Sequence, residues 1–275
     1  MAGVLLAGLA AGVVAIAATV AVERLGGRMG GLLGTLPTTI VPAAAGIAAN
    51  TPSPEAFEVA MAAVPVGMWV DVLFLLCWRV GPVWLPKWSS TSRLLMMVGG
   101  SLAVWGAVAA LAVTGLDRLV AAGVPPLGLG ALGMLASLSL GVAATVRPPP
   151  APRGTQAVGP GALLARGTLA ALAIAGAVSL AAVAGPTVSG IASVFPAIFL
   201  TSMVSLWWSQ GETVQGGAVG PMMLGASSVS AYALFAAVCL PRLGMVGGGL
   251  AAWGLAVTTV TVPAFLWLRS RSASR

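Results

Sequence analysis

The chain contains no histidine and only six acidic residues. The first absence removes the commonest metal ligand and general base. The second leaves few carboxylates for proton or cation chemistry. There is no Gly-x-Ser-x-Gly elbow, no phosphate loop of the Gly-x4-Gly-Lys kind and no metal-ligand spacing. We therefore expect no enzyme and no cofactor. The two cysteines, Cys77 and Cys239, fall inside apolar runs and read as packed thiols. Charge is scarce too. Charged residues make up 7% of the chain, against about 25% in a soluble domain. The formal net charge is +7, but the basic residues are scattered between apolar runs and form no nucleic-acid patch.

What the chain has instead is apolar surface: 59% hydrophobic residues and a mean hydropathy of +1.03. Lipid can solvate such a surface and water cannot. The 37 glycines fit, because small residues let helices approach closely where no hydrophobic drive pulls them together. Gly30/Gly34 and Gly216/Gly220 carry the GxxxG spacing. Residues 2–22 are uninterrupted apolar sequence followed by Glu23-Arg24. They are too long for a signal-peptide core and lack a basic leader, so they read as a retained first helix.

A bilayer core of about 30 Å needs roughly 20 helical residues. Charges fence off candidate spans at 2–22, 30–50, 57–78, 94–114, 127–146, 167–211, 213–238 and 244–267. The run 167–211 is long enough for two, and Gly185-Pro186 is its natural break, since proline favours a helix start. We expect nine spans. With the N-terminus outside, Arg24, Arg28, Arg79, Lys87, Arg93, Arg147, Arg153, Arg166, Arg269, Arg271 and Arg275 fall inside, and only Arg118 and Arg242 outside. That asymmetry is the positive-inside pattern. Trp78, Trp84, Trp88, Trp207, Trp208 and Trp267 gather at the inner boundary, where amphipathic rings anchor. Arg147-Pro148-Pro149-Pro150-Ala151-Pro152-Arg153 is a linker that must lie in water.

One phrase recurs. Gly99-Gly100-Ser101-Leu102-Ala103-Val104-Trp105-Gly106 returns as Gly247-Gly248-Gly249-Leu250-Ala251-Ala252-Trp253-Gly254. Gly31 to Pro37 parallels Gly190 to Pro196, and Gly67 and Phe74 parallel Gly225 and Tyr232. The pattern predicts an all-α integral membrane protein of nine transmembrane helices in a 4+1+4 plan. It divides the chain into a first repeat at 1–116, a linker helix and proline-rich loop at 117–160, and a second repeat at 161–275. Four helices return to the side they left and the fifth crosses, so the repeats are inverted. Such repeats typify secondary transporters.

The helix with Gly-x5-Phe-Pro or Gly-x5-Leu-Pro, the glycine- and serine-bearing helix and the Leu-Ala-x-Trp helix together resemble the small four-helix GlpM-like bacterial inner-membrane proteins. Residues from Gly190 to Arg271 carry the resemblance best. It implies a fused, inverted pair of such units and supplies no catalytic or binding residues.

Candidate chemistry gathers at two places. Pro37, Pro42 and Pro196 fall within spans, where proline kinks or breaks a helix. Around them stand Thr35, Thr38, Thr39, Thr201, Ser202 and Ser205. Broken helices at matching positions in two halves point to a transport site. The competing reading is hydroxyls back-bonded to carbonyls. Asp71 is the only acid well inside a span, and burying it costs at least about 2.5–3.5 kcal/mol on insertion scales. It is the candidate coupling residue, with a protonated acid or a pair to Arg79 as the alternatives. Ser227, Ser228 and Tyr232 are its candidate partners from the other half. Glu55, Glu58 and Glu212 at span ends read as helix-dipole carboxylates, and Asn50 and Gln210 as caps.

These residues lead us to expect ion-coupled transport of a small neutral, zwitterionic or cationic solute, since no intramembrane Arg or Lys offsets an anion. The partners this reading admits are membrane lipids, the solute, a proton or sodium ion and further copies of the chain. Its rivals are a scaffold or lipid-handling protein of envelope biosynthesis and, third, a channel. The setting is a cell (inner) membrane with the C-terminus cytoplasmic.

Overall fold

A computed structural model describes residues 2–25, 36–146, 159–212 and 215–273. All regular structure among them is helical. The elements are α1 (Ala2–Leu25), α2 (Ile40–Asn50), α3 (Pro54–Val80), α4 (Ser90–Ala121), α5 (Pro126–Val146), α6 (Pro160–Val183), α7 (Pro186–Ala192), α8 (Ala197–Gln210), α9 (Gln215–Ala256) and α10 (Val262–Ala273). A 3-10 turn, Gly81–Trp84, follows α3, and a π-helical turn, Val257–Thr261, joins α9 to α10. Among the described residues, six helical stretches are long and apolar enough to cross a membrane. They make this a multi-pass membrane protein.

One of the six, Gly217–Arg271, is 55 residues long, more than twice the roughly 20 a span requires. It is a hairpin. Gly244 has φ 74° and ψ 174°, a conformation only glycine adopts readily, and there the helix reverses. The arms then run side by side: Ser228 and Thr261, at similar distances on either side of Gly244, share a 2.6 Å hydrogen bond. Gly185 makes another sharp turn. Its φ of 89° ends α6, and Pro186 opens α7 at the first helical position. Both boundaries lie where the sequence placed them.

Exposure sorts the helices into layers. The apolar stretch beginning at Pro54 is 78% buried, whereas those at Ser90–Ala121 and Pro126–Val146 are 22% buried each. Thus α3 is the central post, flanked by the first arm of α9, while α4 and α5 present leucines such as Leu95, Leu111, Leu132 and Leu135 outward. Outward hydroxyls satisfy themselves on their own helix: Ser139 donates to Leu135 O at 2.8 Å and Ser179 to Ala175 O at 2.8 Å. Such back-bonding suits a lipid-facing surface without water.

The helices α1 and α6 pack antiparallel with almost nothing between them. A Cβ at Gly12 would stand 2.8 Å from the Gly167 carbonyl oxygen, and one at Gly167 would stand 3.2 Å from the Gly12 oxygen. Small residues at a helix crossing serve this purpose in membranes. Of the GxxxG pairs, Gly30 and Gly34 lie outside the described residues, while Gly220 packs on the Ala144 carbonyl of α5.

Two expectations need correction. The span expected at 30–50 is helical only from Ile40 among the described residues; Leu36 to Thr39 form turns. Pro37 therefore lies outside any described helix, and Pro42 sits in the first turn of α2, where its missing N–H removes no helical bond. The seventh span is likewise two helices, α7 and α8, separated by Ser193 to Pro196. Proline here breaks the helix, because protein surrounds the break and the ring clashes with any preceding turn. The tryptophan belt divides as well: Trp84, Trp88 and Trp208 are exposed, but Trp78 and Trp207 are buried against one another, with centroids 6.2 Å apart.

Gly12→Ala should cost about 1–3 kcal/mol of stability in detergent, the range for overpacking. Gly106→Ala, where an added Cβ meets nothing within 4 Å, should leave the unfolding midpoint unchanged or slightly higher. Equal midpoints for the two variants would contradict the crossing.

Candidate functional site

Asp71, roughly two-thirds of the way along α3, is 1% exposed. The indole N–H of Trp105 on α4 donates to its Oδ1 at 2.7 Å. The Trp105 ring in turn meets Phe195 edge to face, with centroids 5.2 Å apart and planes at 80°. The other carboxylate oxygen has no hydrogen-bond partner among the described residues. Nor does Asp71 pair with Arg79, whose guanidinium instead donates to Ala144 O on α5 at 2.6 Å.

The carboxylate borders a cavity of about 70 Å³. Two irregular turns reach it: Leu36 and Thr39 from the turn before α2, and Ser193, Phe195 and Pro196 from the turn between α7 and α8. The rest of the wall is mostly apolar, including Met68, Ile174 and Val229. Among the described residues no basic side chain lines it. The first turns of α2 and α8 both abut this space, through Ile40 and through Ala197, Ile198 and Phe199. Neither helix has a side-chain cap: the N-cap residues are Thr39 and Pro196, and neither accepts from the first-turn N–H groups. Helix N-termini carry unsatisfied donors and a partial positive charge.

Of the candidate residues, the structure brings Asp71, Thr39 and Pro196 together. Pro37 is buried in the turn between Leu36 and Thr39. The Thr38 hydroxyl donates to Leu36 O at 3.3 Å. Thr35 lies outside the described residues, and so does the side chain of Ser205. Thr201 and Ser202 donate back along α8, to Ala197 O at 2.8 Å and to Ile198 O at 2.7 Å. On α9, Val229 alone borders the cavity. Ser228 is engaged with Thr261, the Ser227 hydroxyl is buried without a partner, and Tyr232 is buried away from the cavity wall.

What sequence reasoning missed is the bond from Trp105 to Asp71. Trp105 stood out as part of a repeat, but its partner Asp71 lies on another helix, and no spacing along the chain links them. Trp253, its counterpart in the phrase, is 36% exposed.

The two ends of the bundle differ. At the C-terminal end of α3, Arg93 donates to Glu212 Oε2 at 2.8 Å, to Pro86 O at 2.7 Å and to Pro82 O at 2.9 Å. Trp207 adds a bond from its indole N–H to Ser90 Oγ at 3.1 Å. The loop after α3 is thereby tied to the end of α8. At the N-terminal end of α3 lies a cavity of about 280 Å³ between Thr51 to Pro54 and the hairpin tip at Leu240, Pro241 and Met245. Asn50 caps α2 there by donating to Gly46 O at 2.8 Å. Glu55 stands in the first turn of α3, as expected of a dipole carboxylate.

No protein-family model, curated protein or solved structure matches the chain.

Trp105→Phe removes the donor from a buried carboxylate and should cost about 1–3 kcal/mol, read as a lowered unfolding midpoint in detergent. Trp253→Phe should change it by less than half as much. Equal effects would mean that the Asp71 hydrogen bond contributes nothing beyond ring packing.

Proposed function

We propose that the protein is an ion-coupled secondary transporter of a small solute, with the Asp71 cavity as its central site. The observation that carries this reading is the meeting, at one buried carboxylate, of the break between α7 and α8 and the irregular segment that precedes α2. Broken backbone at membrane depth is tolerated only where protein or a cavity surrounds it. In transporters such half-helices form the substrate and coupling-ion site. A scaffold has no need of a cavity at the same place, and the cavity beside Pro37 and Pro196 is what sets transport ahead of that reading.

In this proposal the chain is two inverted four-helix repeats around a linker helix, as the resemblance to GlpM-like proteins implies. Spacing supports it. Leu36, Thr39 and Ile40 stand to Pro37 as Phe195, Ile198 and Phe199 stand to Pro196, and all six line the cavity. Asp71 and Val229 bear the same relation to Gly67 and Gly225, and both line it too. The site thus lies on the axis relating the halves. Asp71 takes the coupling proton or sodium ion in the state that holds no solute, so that ion and solute exchange at one carboxylate. Residue charge sets the Arg93 end in the cytoplasm and the Pro52 end outside.

Alternating access also gives the unequal ends a meaning. The Arg93–Glu212 link closes one end while the Pro52 end holds the larger cavity. Rocking of the halves would reverse this.

Two measurements test the reading. In a Cys77→Ser/Cys239→Ser background, Ser53→Cys should react with a membrane-impermeant maleimide from outside. Breaking the opposite end with Arg93→Ala and Glu212→Ala should lower that rate severalfold, and an unchanged rate would remove the coupling between ends. In proteoliposomes under a pH or sodium gradient, Asp71→Asn should abolish gradient-driven uptake of whichever labelled amino acid, amine or polyol the wild type carries. Uptake unaltered by the substitution would sink the role given to Asp71.

A further inference from the structure

The geometry points to a small zwitterion, of the size and charge pattern of glycine or alanine, as the solute held between Asp71 and the first turns of α2 and α8. The inference rests on the transport reading and narrows it.

The site offers both signs of charge within one small space. Its negative group is Asp71: 1% exposed, fixed at one oxygen by Trp105, with the other oxygen lacking a hydrogen-bond partner among the described residues. Among the described residues the positive groups are not side chains. They are the uncapped N-terminal turns of two helices of 11 and 14 residues, whose first residues line the same cavity. Backbone N–H groups at such a terminus point along the axis toward the ligand, and the helix dipole favours a negative group there. Half-helix N-termini hold substrate carboxylates in this way in broken-helix transporters. The Ala197 N–H already donates to Phe195 O at 2.7 Å, and Pro42 has none to give, so a solute with only an ammonium group would leave the first-turn N–H groups of Ile40, Val41, Ile198 and Phe199 without a ligand acceptor. A solute with only a carboxylate would meet Asp71 as a like charge. A zwitterion satisfies both at once: its ammonium group donates to the free Asp71 oxygen and its carboxylate accepts from the first-turn N–H groups.

Size and wall chemistry narrow the class further. A water occupies about 10–15 Å³ of such volume, so a cavity of about 70 Å³ holds about five waters, or one solute with a handful of heavy atoms. Met68, Ile174, Phe195 and Phe199 surround it, so a short aliphatic side chain is accepted and a third charge is not.

The test is uptake of labelled L-alanine into proteoliposomes of the intact chain, with four competitors: glycine, ethylamine, propionate and propionamide. Glycine should compete with alanine, and the three compounds lacking one or both charges should compete about 10- to 100-fold less well, the value of one charge-assisted hydrogen bond. Asp71→Glu should retain the order. Asp71→Asn should lose alanine uptake by at least about tenfold, while propionate becomes the better competitor relative to alanine, because only the helix termini remain. Ethylamine or propionate competing as well as glycine would overturn the inference. If alanine is not carried but another solute is taken up in an Asp71-dependent manner, the inference fails and the transport reading stands. If no solute is carried and the ends do not exchange accessibility, both fail.

Discussion

In hydrocarbon each unpaired peptide group costs several kcal/mol, so a helix can stop in mid-membrane only where protein closes around its end. The rest of this structure follows from that constraint. Two irregular segments, Leu36 to Thr39 before α2 and Ser193 to Pro196 between α7 and α8, lie against α3, which begins the most deeply buried of the apolar stretches. A lipid-facing helix could not support them. The outer helices α4 and α5 run unbroken and return every outward hydroxyl bond of Thr114 and Ser139 to their own carbonyls. Irregular backbone at the centre and regular backbone at the rim are two consequences of the same solvation cost.

The close helix contacts serve this arrangement. With no hydrophobic drive to separate protein from lipid, packing density must bring the central post and its neighbours together. The α1–α6 crossing at Gly12 and Gly167 places peptide against peptide and carries Ala170, Ala173 and Ile174 of α6 to the cavity wall. Alanine is buried throughout the interior, as at Ala43, Ala60, Ala63 and Ala236. Larger residues at these crossings would hold the helices apart and let lipid reach the broken ends.

Much of this was legible in the sequence because it is local. Charge fences and run length located the helical stretches long and apolar enough to span, Gly185-Pro186 located the break after α6, and the charge at Arg242 fell beside the hairpin turn at Gly244. The class of protein follows from composition alone. What was not legible is tertiary. Proline at 37 and 196 predicts an interrupted helix but not whether it kinks or stops, since that depends on whether protein surrounds the interruption. The Thr201 and Ser202 hydroxyls had the right types beside Pro196, yet they lie on α8 within reach of their own carbonyls, and the bland alternative won. Trp105 and Asp71 meet across two helices, and so do Arg93 and Glu212. Each pair joins residues whose separation along the chain carries no periodic signal. In the second pair, assigning both residues to the same side of the membrane was the nearest available hint.

The repeated phrase predicts symmetry, and the interior departs from symmetry at the residues that carry charge. Asp71 corresponds to Val229, and Trp105, which holds Asp71, corresponds to Trp253, which faces outward. There is a physical reason for that divergence. A cavity lying between equivalent residues would bring two acids close together if both halves kept one, and two carboxylates sharing a site cannot both ionise without strong repulsion. One acid with an apolar counterpart avoids the repulsion and leaves a single site for a cation. The two helix N-termini belong to the backbone and stay paired whatever the side chains do. Under the proposed inverted arrangement, duplication would therefore supply both positive ends of the site, and divergence at one position would supply its negative centre.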